Sequence, residues 1–588
     1  MVPPRTLTLS TFLLQIALFV HASFVLPPPS SLPKPDDYSR PQRSNCHQSP
    51  VHLPLYRRTR PRMKGSRSRA ARELVPMMGA IGLGDVQDVT YNVLVQMGGS
   101  DLPLVLDTGS ADLWVLSTDC ISPNASATAP PTCNASAPIY SPTTFQPTGL
   151  NATLLYGDSL TGTHAIGPIG FDAAGIAQLS ASNQYFAAVP QGGTNTSILQ
   201  TGSSGIFGLG FPINSIIWNQ ILSSRFPTSK RTLSARAPTD FATRHFPDLS
   251  FLRNSSNLKR GARSRASSLP TVSDVLDTFI PYGPLVPRLG LTAPIAAVTL
   301  QRDTVQVGGN AGMLSLGALP PAVRADNMTW VPLRAYTPAE GGLPAPTDSP
   351  HEVYPMAWEV PVDDVFFDGH KLPRSNLSAP NITLSALIDT GSSYIRGPQD
   401  VVEAMSNVLG GQTYPCAHSH NLTFQIGGVL FPVDPRDFGS QAYEDSTEDC
   451  VPSVVATDPP ANNGSGFLYS WNLGDPFLKG VLAAFYYGNL TYPSQDSPRM
   501  GFLSTVPPDA GEQLGAAVSS ASASLLATSD PAPSGTPSAA VTDAQGVPQA
   551  RPSIVSGDTS SGATAAPSLD VALWHASACA VWTALWMV

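Results

Sequence analysis

The stretch LVLDTGSADLWVL, Leu104 to Leu116, decides how this chain is read. Far downstream, SALIDTGSSYIRGP, Ser385 to Pro398, repeats its core of two apolar residues followed by Asp-Thr-Gly-Ser. The two aspartates, Asp107 and Asp389, stand 282 residues apart. Average residue usage gives one such tetrapeptide a chance of roughly 1% in a chain of this length. Two in the same apolar setting ask for a common cause. Each is a short apolar run, as in a buried strand, broken by a tight turn at Gly109 or Gly391 where the backbone can approach closely. Each aspartate then sits at the base of a cleft. The hydroxyls of Thr108, Ser110, Thr390 and Ser392 are expected to hold the carboxylates by hydrogen bonds. One such carboxylate is inert. Two, facing each other across a pseudo-twofold axis, share a proton over a wide pH range. The ionised member takes a proton from water while the protonated one donates to a carbonyl oxygen, which is hydrolysis with no covalent intermediate.

Composition sets the frame around this pair. The chain has 588 residues, enough for more than one domain. It has 59 prolines and only 13% charged residues. Short apolar runs such as TYNVLVQM, APIAAVTLQ and AWEVPVDDVFFDG, punctuated by Gly, Pro, Asn and Asp, point to β structure rather than helical bundles. The body is placed at residues 74–505, with one lobe over 74–325 and a second over 326–505. A basic insertion interrupts the first lobe at 225–269, with ten Lys/Arg against Asp240 and Asp248. Its Lys230-Arg231 and Lys259-Arg260 pairs are candidate processing sites, so the expected monomer is open to conversion into two chains. A merely solvated segment is the alternative.

The ends read as export and anchoring signals. Arg5, the apolar run LTLSTFLLQIALFV and Val20-His21-Ala22 form a signal peptide over 1–22. Residues 23–73 are Pro-rich and then strongly basic, which reads as a removable pro-segment. A nucleic-acid patch is the weaker reading in an exported chain. Of the 33 Lys/Arg and 42 Asp/Glu, residues 1–73 carry 12 and 3, so the remainder carries 21 and 39, a net charge of −18. A basic pro-segment therefore precedes an acidic body. Residues 506–562, rich in Ser, Ala, Thr and Pro, read as an O-glycosylated stalk. Residues 563–588 end in an apolar run with no basic residue after it, preceded by small residues near Ser561, as in a glycosylphosphatidylinositol anchor signal. Eleven N-x-S/T sequons fit an extracellular or surface-anchored glycoprotein. Export also favours local disulfides, expected at Cys120–Cys133 and Cys416–Cys450. No Cys/His spacing suggests a metal site.

These residues resemble the pepsin-like aspartic proteases, and most of all their secreted or surface-anchored fungal members. The resemblance covers about residues 85–505. It implies an all-β, bilobal fold with two pseudo-twofold-related lobes and a cleft between them. It makes Asp107 and Asp389 the catalytic pair of an acid endopeptidase, with polypeptide substrates, pepstatin-type inhibitors and no cofactor. Trp114 matches a tryptophan that supports a flap, and LLYGDSLTG resembles that flap, with Tyr156, Gly157 and Asp158 at its tip. GIFGLGF and WNLGDPFL resemble the segments that brace the two active-site turns. By the same resemblance the pro-segment covers the cleft of a zymogen, with Lys64 as the candidate lysine facing the aspartates. A catalytically silent surface glycoprotein of the same fold is the competing expectation.

Overall fold

The computed structural model describes most of residues 79–525. Within that span residues 121–137, 157–162, 226–274, 301–311, 338–342, 377–382 and 458–469 are not described, along with some shorter gaps. The expected signal peptide, pro-segment, anchor signal and both paired basic sites lie outside the described residues. So does Cys133, and with it the expected Cys120–Cys133 bridge.

The described chain is all-β and bilobal. The apolar runs of the sequence become strands at Thr90–Met97, Ser100–Asp107, Ile295–Leu300 and Gly312–Leu316. The first lobe is an eight-stranded sheet in which the long antiparallel pair Gln146–Tyr156 and Thr163–Ile176 projects as a hairpin. The second lobe holds a five-stranded sheet and a four-stranded one. A six-stranded sheet joins the two. Its strands come from 79–82, 312–316 and 295–300, then from 481–486, 499–504 and 329–332. The two lobes expected to divide at 325/326 therefore contribute strands to one shared sheet.

Aromatic packing reinforces that junction. Phe211 of the first half lies 4.4 Å from Trp358, which in turn packs at 4.9 Å on Tyr487. The Trp358 indole and the Tyr487 hydroxyl both donate to the Leu209 carbonyl, at 3.0 and 2.6 Å. These rings are fully buried, and each contributes on the order of 1.5–3 kcal/mol through area removed from water.

Two boundaries differ from the sequence reading. Arg225 is the last residue of helix Ile216–Arg225, and its guanidinium stacks 4.1 Å over Tyr282, so it belongs to the lobe and not to the insertion. Residues 510–525 of the expected stalk form a helix. Ala, Leu, Glu and Gln carry high helix propensity, and Val518 packs on the main core while the Thr447 and Ser522 hydroxyls pair. Low hydrophobicity argued against a buried core but not against a surface helix docked on one side. Cys416 and Cys450 are bridged, with Cα atoms 4.9 Å apart. Among the described residues no helix is long and apolar enough to cross a membrane.

Candidate active site

The two Asp-Thr-Gly-Ser turns are built the same way. Strand Ser100–Asp107 runs parallel to Gly205–Gly208, and Leu113, six residues after Asp107, pairs antiparallel with Phe207. Strand Ser385–Ile388 runs parallel to Trp471–Leu473, and Ile395, six residues after Asp389, pairs antiparallel with Leu473. The apolar-Gly segments thus pass beneath the turns. Only glycine fits there: a Cβ on Gly208 would lie 2.6 Å from the backbone of Ala111, and one on Gly474 would strike the Ser392 carbonyl.

Asp107 and Asp389 face each other across this arrangement. A Cβ on Gly109 would stand 2.5 Å from Asp389 Oδ1, and a Cβ on Gly391 would stand 2.5 Å from Asp107 Oδ1. Each carboxyl therefore lies against the glycine of the opposite turn. Asp107 accepts from the backbone N–H of Gly109 at 2.9 Å and of Ser110 at 3.2 Å, and from the Ser110 hydroxyl. Asp389 accepts from the Gly391 N–H at 2.9 Å.

The hydroxyls divide their work differently from the sequence expectation. Only the Ser110 hydroxyl reaches a carboxylate. The Thr108 hydroxyl donates to the Ile388 carbonyl at 2.8 Å, and the Thr390 hydroxyl to the Leu106 carbonyl at 2.6 Å. Each threonine oxygen also accepts the other's backbone N–H at 3.0 Å. These four buried bonds fasten the two turns to one another, and with them the aspartates. Each threonine hydroxyl thus gives its proton to a backbone carbonyl of the opposite half rather than to the carboxylate beside it. The Ser392 hydroxyl donates to the Tyr394 carbonyl at 2.9 Å. Asp389 is supported instead by Asn472, whose Nδ2 donates to Oδ2 at 2.9 Å. Sequence reading did not single out Asn472. Its one signal is a lone amide within the otherwise apolar run Trp471–Leu473.

The pair is electrostatically unequal. Asp107 is 6% exposed, while Asp389 is half-buried. Burial first, and then the Asp389 charge, push the Asp107 carboxyl up to about 7, against the pull of Ser110 and Gly109. The facing pair thus keeps a proton well above the ordinary carboxylate range.

The hairpin completes the cleft. Trp114 is fully buried, and its ring lies 6.3 Å from that of Tyr156 at the end of the hairpin strand. Burial, followed by the charges of Asp112 and Asp107, raises the Tyr156 hydroxyl well above its ordinary value, which keeps it a neutral donor. Gly157 and Asp158 lie outside the described residues. Asp112, which the sequence reading passed over, is buried two residues before Trp114. It accepts from the Ser215 hydroxyl at 2.5 Å and from the N–H groups of Ile216 and Ile217, capping helix Ile216–Arg225 from the active-site strand. Burial pushes this carboxyl up as well.

Two facing carboxyls holding one proton, beside a neutral donor, are equipped for general acid–base hydrolysis of a bound acyl group. Comparison with known proteins agrees. The family model described as eukaryotic aspartyl protease matches residues 90–226 and 272–492, and breaks only over the basic stretch between them. Pepsin A of Rhinolophus ferrumequinum is 22% identical over 444 residues, covering 72% of this chain and 85% of the relative. An aspartic protease of Phaffia rhodozyma is 23% identical over 429 residues, covering 70% and 75%. Major aspartyl peptidase 1 of Cryptococcus neoformans var. grubii is 22% identical over 426 residues, covering 70% and 69%.

Proposed function

Because the chain belongs to the eukaryotic aspartyl protease family, we propose that it is an aspartic endopeptidase whose catalytic pair is Asp107 and Asp389. The observation that carries this reading is the approach of each carboxyl to the opposite turn's glycine, with a proton retained by the pair. In this reading a water between the carboxyls is the nucleophile. Ionised Asp389, held by the Gly391 N–H and Asn472, takes the water's proton. Asp107 gives its own proton to the peptide carbonyl oxygen. The tetrahedral intermediate then collapses as a proton passes to the leaving nitrogen. The hairpin that ends at Tyr156 closes over the substrate and sheds water from the cleft.

The test is cleavage of a denatured protein between pH 3 and 6 by material freed of its N-terminal basic segment. Internal peptide bonds are expected to break, and a pepstatin-type inhibitor to stop this. Absence of inhibitor-sensitive cleavage would return the chain to the reading of a silent surface glycoprotein.

We also propose export and lipid anchoring, supported by the apolar segments near both ends of the sequence and by its sequons. Mass spectrometry should then find mature material lacking residues 1–22 and the C-terminal apolar run. Retention of both segments would refute the proposal.

A further inference from the structure

The wall of the cleft beside Asp389 is the antiparallel pair Ile395–Gly397 and Trp471–Leu473, in which Arg396 stands directly opposite Asn472. Paired residues in a sheet share a face. Ile395, Trp471 and Leu473 belong to the core and are at most 1% exposed. Asn472 points the other way, and its carboxamide rests on Asp389 at 2.9 Å. The Arg396 side chain therefore lies on the face that carries the dyad.

Arg396 is half-buried, and among the described residues no ion pair or side-chain hydrogen bond occupies its guanidinium. The acids on neighbouring elements are engaged elsewhere. Asp400 accepts from the Ser375 hydroxyl and the Asn376 N–H, and Glu403 accepts from Gln399. Among the described residues, the other titratable groups on elements packed against this wall are Asp389 and Asp107 of the two turns, Tyr394 beside Ile395, buried Asp475 just beyond Asn472, and Lys479 at the end of helix Asp475–Leu478, which pairs with Asp437. Val455, paired with Arg396 on its other side, is apolar. Asn472 Oδ1 is buried and has no donor. A half-buried cation beside an open acceptor carries a desolvation cost that an incoming anion offsets.

Resting on the protease reading above, we propose that Arg396, backed by Asn472, is a specificity-determining residue that receives the carboxylate of an acidic substrate side chain. The guanidinium fork suits a carboxylate, and one of its N–H groups can turn to Asn472 Oδ1 as it closes on the ligand. Cross-strand neighbours stand about 5 Å apart, and Asn472 already touches Asp389. An extended peptide advances about 3.3 Å per residue, so the acidic residue falls within about three residues of the cleaved bond.

The experiment uses the processed full chain and paired peptides that differ only by Glu or Gln at each position up to three residues either side of the cleaved bond. A free glutamate has a pKa of about 4.3, so it is neutral at pH 3 and ionised at pH 5.5. At one position and pH 5.5, the Glu peptide is expected to exceed the Gln peptide about tenfold or more in kcat/KM, as charge-assisted hydrogen bonds imply. The ratio should approach one at pH 3, and also at pH 5.5 in Arg396→Leu, while Arg396→Lys keeps part of it. A ratio near one at every position in the unmodified enzyme at pH 5.5 overturns the assignment, and so does a ratio that survives in Arg396→Leu. Either result leaves the protease reading intact. Failure to cleave any peptide or denatured protein overturns the protease reading itself, and this inference with it. If Arg396→Leu does not fold, the contrast between pH 3 and pH 5.5 and the Arg396→Lys ratio decide the matter.

Discussion

Asp107→Asn is expected to lower kcat/KM for peptide cleavage by about 10³-fold or more, with the folded structure retained. The proton on Asp107 is the one the mechanism delivers to the carbonyl oxygen, and loss of a positioned acid–base group costs 10²–10⁴-fold even before the shared proton is considered. Asparagine keeps the shape: its Oδ1 can still accept the Gly109 N–H, and its Nδ2, in the other oxygen's place, can donate to the Ser110 hydroxyl oxygen, so circular dichroism should show little change. Retained turnover would refute the assignment of the dyad. The same variant has a signature in stability. The unfolded Asp107 carboxyl titrates near 3.8 and the folded one near 7. Between these values the folded state holds the proton that the unfolded state has released. The pair's contribution to stability should therefore be greatest below about pH 4, fall as the pH rises towards 7, and level off above that. The fall is on the order of a few kcal/mol and belongs to the coupled pair rather than to one residue. Urea titrations across this range should show the slope in the parent protein and a flatter one in Asp107→Asn. An unchanged slope in the variant would place the raised carboxyl elsewhere.

Gly109→Ala is the second large effect. The added methyl would meet all three terminal atoms of the Asp389 carboxyl at 2.5–2.7 Å, well inside contact distance. Asp389 must shift, taking with it the hydrogen bond from Asn472. A displacement of about 1 Å in a reacting group costs roughly 10²-fold in rate, and here the displaced group is the proposed general base. The threonine bonds that fasten the turns lie behind this clash, so the loss should appear mainly in kcat rather than in expression or melting temperature. Activity within threefold of the parent would show that the carboxyls do not face each other as described.

Much of this was legible in the sequence because catalysis constrains residue types locally. An apolar strand that ends in Asp-Thr-Gly carries its own turn, and doubling it announces the second half of the site. The strands around Thr90 and Ile295 were legible for a similar reason, since burial selects apolar runs. What could not be read depends on partners distant in sequence. Nothing near Thr108 says that its hydroxyl will cross to the Ile388 carbonyl. Nothing near Asp112 says that it will cap a helix about a hundred residues later. Asn472 was obscured differently. A polar residue within a short apolar run has two faces open to it, and only the register against Leu387 and Arg396 turns it towards the dyad. The helix at 510–525 was missed because alanine and serine suit both a helix and an unfolded stalk.

The stacking of Arg225 on Tyr282 has one more consequence. Trp218 also packs 4.4 Å from Phe279, and its indole donates to the Thr278 hydroxyl at 2.9 Å. These contacts clamp together the two points between which residues 226–274 must run. When both ends of a segment are held by such a clamp, each doubling of its length costs only about 0.6 kcal/mol in closure entropy. The lobe is thus buffered against its own longest interruption. Sequence can be gained or lost there while the clamp keeps the two ends of the break together.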